Sequence, residues 1–298
     1  MSWSAVLVSG LTSGSMYGLF ATGFGLIFSV TGRFHYAYGA YFALAGVLAG
    51  WGNQYEGWNV WVATAIGVIV GFAAGVLTEV LVYRSFDKRS SAFSLLGVFI
   101  ASLGIVIAVE AAMQLWLAAA PTYTMELVPY TVWHLGSVGI PEVDVVVAGV
   151  SWIGIIVLSL FVGHTTTGRK MRAVAANRYL ATTFGINVNR IFVITFALGS
   201  LAAAILGVLY TSQYAASSTM GDNAIVFAFV IVFLARSGGP LMWGLIGLIL
   251  GVGVSLGGQV IGQVWEQPLV FGVLFVLIVS LPFVQWFRET RVRPARVL

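Results

Sequence analysis

Across 298 residues, hydrophobic types make up 59% and charged types only 8%, against roughly 45–50% and roughly 25% in ordinary soluble domains. That composition excludes a water-soluble enzyme or binding module, and the absence of cysteine excludes disulfides and thiolate metal sites. The formal charge of +4 is spread over short loops rather than one basic face, which argues against nucleic acid as a partner.

A hydrocarbon core about 30 Å thick needs about 20 mostly apolar residues per helix, and such stretches follow one another from Ala5 to Phe287. Gaps in hydrophobicity place spans near residues 5–30, 36–51, 59–83, 92–118, 145–163, 189–212, 223–235, 241–262 and 268–287. The expected fold is an all-α polytopic transmembrane protein of about 8–9 segments, two of them short or broken, in a single domain over residues 1–298. No Lys or Arg precedes the first apolar run, so this run is expected to be a retained span rather than a cleavable signal. No soluble catalytic or nucleotide-binding module is expected at either end.

Span 1 ends in Phe28-Ser29-Val30-Thr31-Gly32-Arg33, and a Gly-containing break leads into a helix carrying Gly39, Gly46 and Gly50. Glu79 lies near Arg84 at the expected inner boundary, where a plain ion pair suffices for it. Span 4 carries Ser102 and, deep within it, Glu110. An ionisable group inside a membrane helix is costly and marks a pathway, a relay or a polar contact. Glu110 is open to either reading: binding an amine on a solute, or bridging helices in protonated form. Span 7 ends in Phe233-Leu234-Ala235-Arg236 and also leads through a break into a helix with Gly244, Gly247, Gly251 and Gly253. Spans 1–3 and 7–9 thus share pattern and orientation, as a parallel repeat would. Paired breaks point to a translocation path, while Gly at small-xxx-small spacing, as in Gly67, Gly71 and Gly75, also serves plain helix packing.

Between spans 5 and 6, residues 164–188 are too polar to span and too long for a tight turn. Met171, Val174 and Ala175 recur at helical spacing, so one short amphipathic helix is expected, with Gly185 as its stop. Such a helix either seats on a soluble partner or lies on anionic lipid. With an external amino terminus, all 14 Lys and Arg residues fall in cytoplasmic segments, and Arg33 is among them. The opposite loops hold Glu56, Glu126, Glu142, Asp144, Asp222 and Glu266 without a cation, a one-sided distribution that also places the carboxyl terminus in the cytoplasm.

The run Gly168-Arg169-Lys170-Met171-Arg172-Ala173-Val174-Ala175, with Gly185-Ile186-Asn187-Val188 downstream, resembles the coupling loop of LivH-type permeases of branched-chain amino acid transporters. Gly10-Leu11-Thr12-Ser13-Gly14-Ser15-Met16-Tyr17-Gly18-Leu19, Phe196-Ala197-Leu198-Gly199-Ser200, Gly207-Val208-Leu209-Tyr210 and Thr219-Met220-Gly221 extend the likeness over most of the chain. The resemblance implies an ABC importer permease fold in the bacterial inner membrane. It implies two ATPase subunits of LivG and LivF type, a second permease chain of LivM type or a homologue, and an external solute-binding protein. Gly168, Arg169, Met171, Arg172, Ala173, Asn177, Ala181 and Gly185 would then serve docking of the ATPase. ATP and Mg would be used by the partner subunits; this chain lacks a Walker-type Gly-rich loop and is expected to bind no cofactor and to be no enzyme.

Where the family commonly reads Asn-Phe-Ala-His-Gly, this chain reads His35-Tyr36-Ala37-Tyr38-Gly39. His35 and Tyr38, with Tyr41 one turn on, either line a solute path together with Ser102 and Glu110 or cap helix ends and hold the break together. Family members often carry an uncharged amide at the position of Glu110, and Arg236-Ser237-Gly238-Gly239-Pro240 keeps the Gly character of its junction but adds Pro240. These departures leave the cargo open among branched-chain amino acids, aromatic or other carboxylates, amides and urea. The rival class is a stand-alone secondary transporter or channel that uses Glu110 and His35 for ion coupling.

Overall fold

The computed structural model describes residues 3–86, 91–116, 122–129, 131–135, 138–235 and 238–262, with isolated positions from 265 to 276. Lipid offers no hydrogen bonds, so apolar segments satisfy their backbone internally as helices. These are α1 (Trp3–Thr31), α2 (Tyr38–Gln54), α3 (Val60–Leu77) continued by a π-helical turn (Thr78–Tyr83) and α4 (Arg84–Phe86), and α5 (Ser91–Trp116). After a hairpin of β1 (Val132–Leu135) and β2 (Val138–Pro141) come α6 (Glu142–His164), α7 (Thr166–Ala176), α8 (Arg178–Thr183), α9 (Val188–Gln213), α10 (Met220–Ala235) and α11 (Pro240–Ile261). Six helical stretches among the described residues are long and apolar enough to cross a membrane, while α2 and α10 have 17 and 16 residues. Eight of the nine expected spans thus find a helix, and the ninth, near 268–287, lies outside the described residues except for isolated positions up to 276.

Helices α1 and α9 form the centre, with 78% and 67% of their apolar windows buried against 22% for α3, α5, α6 and α11. The first helix of each proposed repeat packs on the second of the other, since α1 lies along α11 and α2 along α10. Glycine makes the first of these contacts possible. A Cβ at Gly14 would stand 2.8 Å from the Leu248 carbonyl oxygen, and one at Gly18 2.9 Å from that of Gly244, so any side chain there would push the helices apart. Gly67 is similar, 2.5 Å from the Ala45 carbonyl. Packing therefore accounts for Gly14, Gly18, Gly67, Gly244 and Gly247, whereas a Cβ at Gly253 would meet nothing within 4 Å.

Three features differ from expectation. The segment between spans 4 and 5 contains the antiparallel hairpin, with Val132 opposite Pro141 and Leu135 opposite Val138. The polar segment at 164–188 is two helices, not one. Asn177 leaves the helical region at φ −159°, ψ 108°, and its Oδ1 accepts the Leu180 N–H, so it caps a second helix instead of continuing the first. Gly185, at φ +76°, then ends the second. Third, Arg33 does not sit in an exposed loop. Gly32 stops α1 at φ +68° with its N–H on the Phe28 carbonyl, and the connector 32–37 turns back among the helices, burying Arg33 and His35. Glu79 takes Arg33 as its partner rather than the expected Arg84, which is exposed.

Candidate functional site

The connector between α1 and α2 is held by one face of the π-turn. In an α-helix, residues three and four apart share a face; the wider turn, closed by i→i+5 bonds, brings Thr78, Glu79 and Tyr83 inward together, and all three are buried. Each meets a different group. The Tyr41 hydroxyl donates to Thr78 Oγ1 at 2.6 Å, Arg33 Nη1 donates to Glu79 Oε2 at 2.6 Å, and Tyr83 Oη shares a 2.7 Å hydrogen bond with His35 Nδ1. Thr78 passes its own proton to the Ala74 carbonyl. A fourth tie comes from α5, where Ser102 Oγ accepts the Tyr36 N–H at 3.2 Å and donates to the Phe99 carbonyl at 2.7 Å.

His35, Tyr41 and Ser102 are thus brought together; His35 Nδ1, the Tyr41 hydroxyl and Ser102 Oγ hold the connector, while His35 Nε2 is buried with no hydrogen-bond partner among the described residues. The His35 ring packs among Tyr41, Tyr83 and Phe196 at centroid distances of 5.4, 5.3 and 4.9 Å. It lies in the connector, outside the helical spans; burial first, then the nearby Arg33 charge, pushes the imidazole down to about 3 and keeps it neutral. Tyr38 points elsewhere. Its hydroxyl occupies the notch left by the missing side chain of Gly23, between α1 and α9, and has no hydrogen-bond partner among the described residues. Its ring stacks at an angle on Phe20 at 4.7 Å, so it acts as a wedge.

Glu110 does not join this cluster. It sits two turns beyond Ser102, half-exposed, in electrostatic reach of Asp222 and the Tyr36 phenol. Tyr36 in turn donates weakly to Asp222 Oδ1 at 3.5 Å. One turn past Glu110, Gln114 Nε2 donates to Ser218 Oγ at 3.1 Å. Ser102, Val106, Glu110 and Gln114 recur every four residues, forming a stripe on α5 that faces the starts of α2 and α10. The backbones of α2 and α10 touch there, a Cβ at Gly39 falling 2.7 Å from the Gly221 carbonyl. Asp222 was expected in a loop, but it belongs to the first turn of α10.

The polar segment forms a second site. Thr165 caps α7 by accepting the Gly168 N–H at 2.9 Å. Gly168, Met171 and Val174 are buried against the bundle, where α7 meets α1, α6 and α9, and Ala181 is buried below α8. A Cβ at Gly168 would run into the Phe161 and Val162 carbonyls. Arg172 Nη1 donates to the Gly163 carbonyl at 3.0 Å and also to that of Val162, covering carbonyls at the end of α6. Of the residues proposed for docking, Gly168, Met171 and Ala181 therefore fasten the segment from within and Arg172 caps α6, while Arg169, Ala173, Asn177 and Gly185 are exposed. Sequence reasoning overlooked the outward apolar residues Tyr179, Leu180 and Phe184, exposed by 78, 51 and 82%. Their spacing carried the signal, since Leu180 and Phe184 lie four apart around the buried Ala181.

Together, a glycine-packed apolar bundle, a re-entrant connector held by buried polar ties and a polar two-helix elbow at one end define a multi-pass membrane protein of the permease kind. The chain belongs to the family described as branched-chain amino acid transport system / permease component, matched over residues 6–279. It is 28% identical over 285 residues, 93% of each chain, to the high-affinity branched-chain amino acid transport system permease protein BraD of Pseudomonas aeruginosa. It is 24% identical over 291 residues to the corresponding permease protein LivH of Escherichia coli, covering 93% of this chain and 92% of that protein. Among solved structures, a chain of PsaBC from Streptococcus pneumoniae, in complex with a Fab, shares the fold at a TM-score of 0.50 and 11% identity, over 91% of this chain and 89% of that one.

Proposed function

We propose that this chain is one membrane subunit of an ATP-driven importer for a small polar or amphipathic solute of the branched-chain amino acid type. A second permease chain completes the pathway, separate ATPase subunits power alternating access, and an external binding protein delivers the solute. ATP and Mg are handled by those ATPase subunits, not by this chain. The naming of BraD and LivH as branched-chain amino acid permeases supports the class of cargo. The amino terminus is external and the carboxyl terminus cytoplasmic, a reading supported by the gathering of Arg84, Arg169, Lys170, Arg172, Arg178 and Arg190 on α4, α7, α8 and the start of α9.

The observation that carries the proposal is the elbow at Asn177. Its inner face, Gly168, Met171, Val174 and Ala181, is locked to α1, α6 and α9, and its outer face presents Tyr179, Leu180 and Phe184. A rigidly mounted polar helix pair with aromatic anchors suits a groove on a soluble subunit. On the solute side, Glu110, Asp222 and the Tyr36 hydroxyl provide the polar lining, and His35, Tyr38 and Tyr41 keep the connector beside them in place.

The test is co-purification and transport in proteoliposomes. Tyr179→Asp and Phe184→Asp place unpaired charge at the anchors and should abolish ATPase binding while the permease stays inserted. Uptake by the permease without any ATPase subunit would refute the proposal in favour of a secondary transporter.

A further inference from the structure

We propose that Arg33 is a positioning residue that transmits movement of the α7–α8 elbow to the connector between α1 and α2. This rests on the docking role proposed above for the elbow. The Arg33 guanidinium lies over the Phe192 ring, with Cζ 4.8 Å from the centroid, and Arg178, the first residue of α8, lies over the same ring at 5.0 Å. Phe192 stands in the first turns of α9, almost fully buried at 1% exposure. A displacement of α8 therefore acts on a ring that has no room to yield alone.

On its other side Arg33 is bonded to Glu79 at 2.6 Å, with both groups sealed from solvent. Arg33 also lies over Tyr83 at 5.9 Å, the residue that holds His35. One guanidinium thus touches the ring that Arg178 of the elbow also covers, the π-turn and, through Tyr83, the residue three positions before Tyr38, where α2 begins. The π-turn is a suitable element to switch, because a single-turn π-bulge is a local departure from the α-helical ladder and recurs at functional sites. Coupling between sites requires such an element whose state both ends bias.

Arg33→Lys separates the two roles of the residue. Lysine keeps a positive charge for Glu79 but lacks the flat guanidinium that stacks on an aromatic face. The experiment uses the complete importer in proteoliposomes with its loaded binding protein, and reads solute taken up per ATP hydrolysed together with the amount of ATPase bound. Uptake per ATP should fall by about tenfold in Arg33→Lys and in Phe192→Leu, within the range usual for site-to-site coupling, with ATPase binding unchanged. Phe192→Tyr, which keeps the ring, should retain coupling. Stimulation of ATP hydrolysis by the loaded binding protein should weaken in the same two variants, because the same contacts would carry the signal to the elbow.

Wild-type coupling in Arg33→Lys and Phe192→Leu, beside loss of ATPase binding in Phe184→Asp, overturns the relay and leaves the docking role standing. Normal ATPase binding in Phe184→Asp shows instead that the docking role is wrong. Should Arg33→Lys fail to assemble, Arg178→Gln at its exposed position carries the test, and unchanged coupling there overturns the proposal.

Discussion

Replacing Glu79 by alanine leaves the Arg33 guanidinium charged, buried and without its carboxylate. At 2.6 Å and an effective dielectric constant of about 20, the gross attraction is about 6 kcal/mol. Burial costs each ion several kcal/mol, so the intact pair adds little net stability, while removing one partner costs about 3–5 kcal/mol. With side chains only 3% and 1% exposed, solvent screening does not dilute that figure. Arg33→Met combined with Glu79→Ala, which removes both charges, should recover most of the loss. The measurement is a double-mutant cycle on reversible unfolding of the detergent-solubilised protein, with a coupling free energy of about 2 kcal/mol or more expected for a contacting pair. A cost below about 1 kcal/mol for Glu79→Ala, or simple additivity in the double variant, would show that Arg33 is not held by Glu79 and that the connector is not seated as described.

Three other outcomes follow from the same contacts. Gly14→Val forces a side chain into the Leu248 backbone and should cost at least about 1–3 kcal/mol by overpacking, seen as a lowered thermal transition; an unchanged transition would contradict the α1–α11 contact. Tyr38→Phe removes a buried hydroxyl with no hydrogen-bond partner among the described residues and should be neutral or stabilising by up to about 1 kcal/mol, with uptake retained; lost uptake would return Tyr38 to the solute path. His35, held near 3, binds fewer protons in the folded than in the unfolded chain between that value and about 6.5. Its contribution to stability is therefore complete above about 6.5 and declines as pH falls below it. ATP-driven uptake should accordingly be flat from pH 6.5 to 8 and indifferent to collapse of the proton gradient. A pH dependence in that range which disappears in His35→Gln would show a titrating His35 instead.

Much of this architecture is legible in the chain itself. Span limits such as 189–212 and 241–262 fall within one residue of α9 and α11, because whether a segment of about 20 residues prefers lipid is a sum over its own side chains. The amphipathic character of residues 164–188 is local in the same way. Its division at Asn177 is less so, since an Asn in an Ala-rich run caps a helix or continues one according to whether the residues around it are buried. Here Asn177 stands in extended backbone and its side chain takes the Leu180 N–H, so the first helix stops and a second starts.

Pairings over long separations were decided by tertiary structure alone. Glu79 lies five residues from Arg84 and 46 from Arg33, yet the partner is Arg33, because Gly32 turns the connector inward and the π-turn aims Thr78, Glu79 and Tyr83 at it. Nothing in the side-chain pattern announces a π-turn, which is a rearrangement of backbone hydrogen bonds. The roles of Tyr38, filling the space beside Gly23, and of Glu110, on α5 within electrostatic reach of Asp222 on α10, likewise depend on which helices become neighbours. Composition and hydropathy determined that the chain folds as a membrane bundle, because transfer from water to lipid is additive along the sequence. Only the packed structure decided which polar groups brace the connector and which lie apart from it, because those choices are made by residues far apart in the chain.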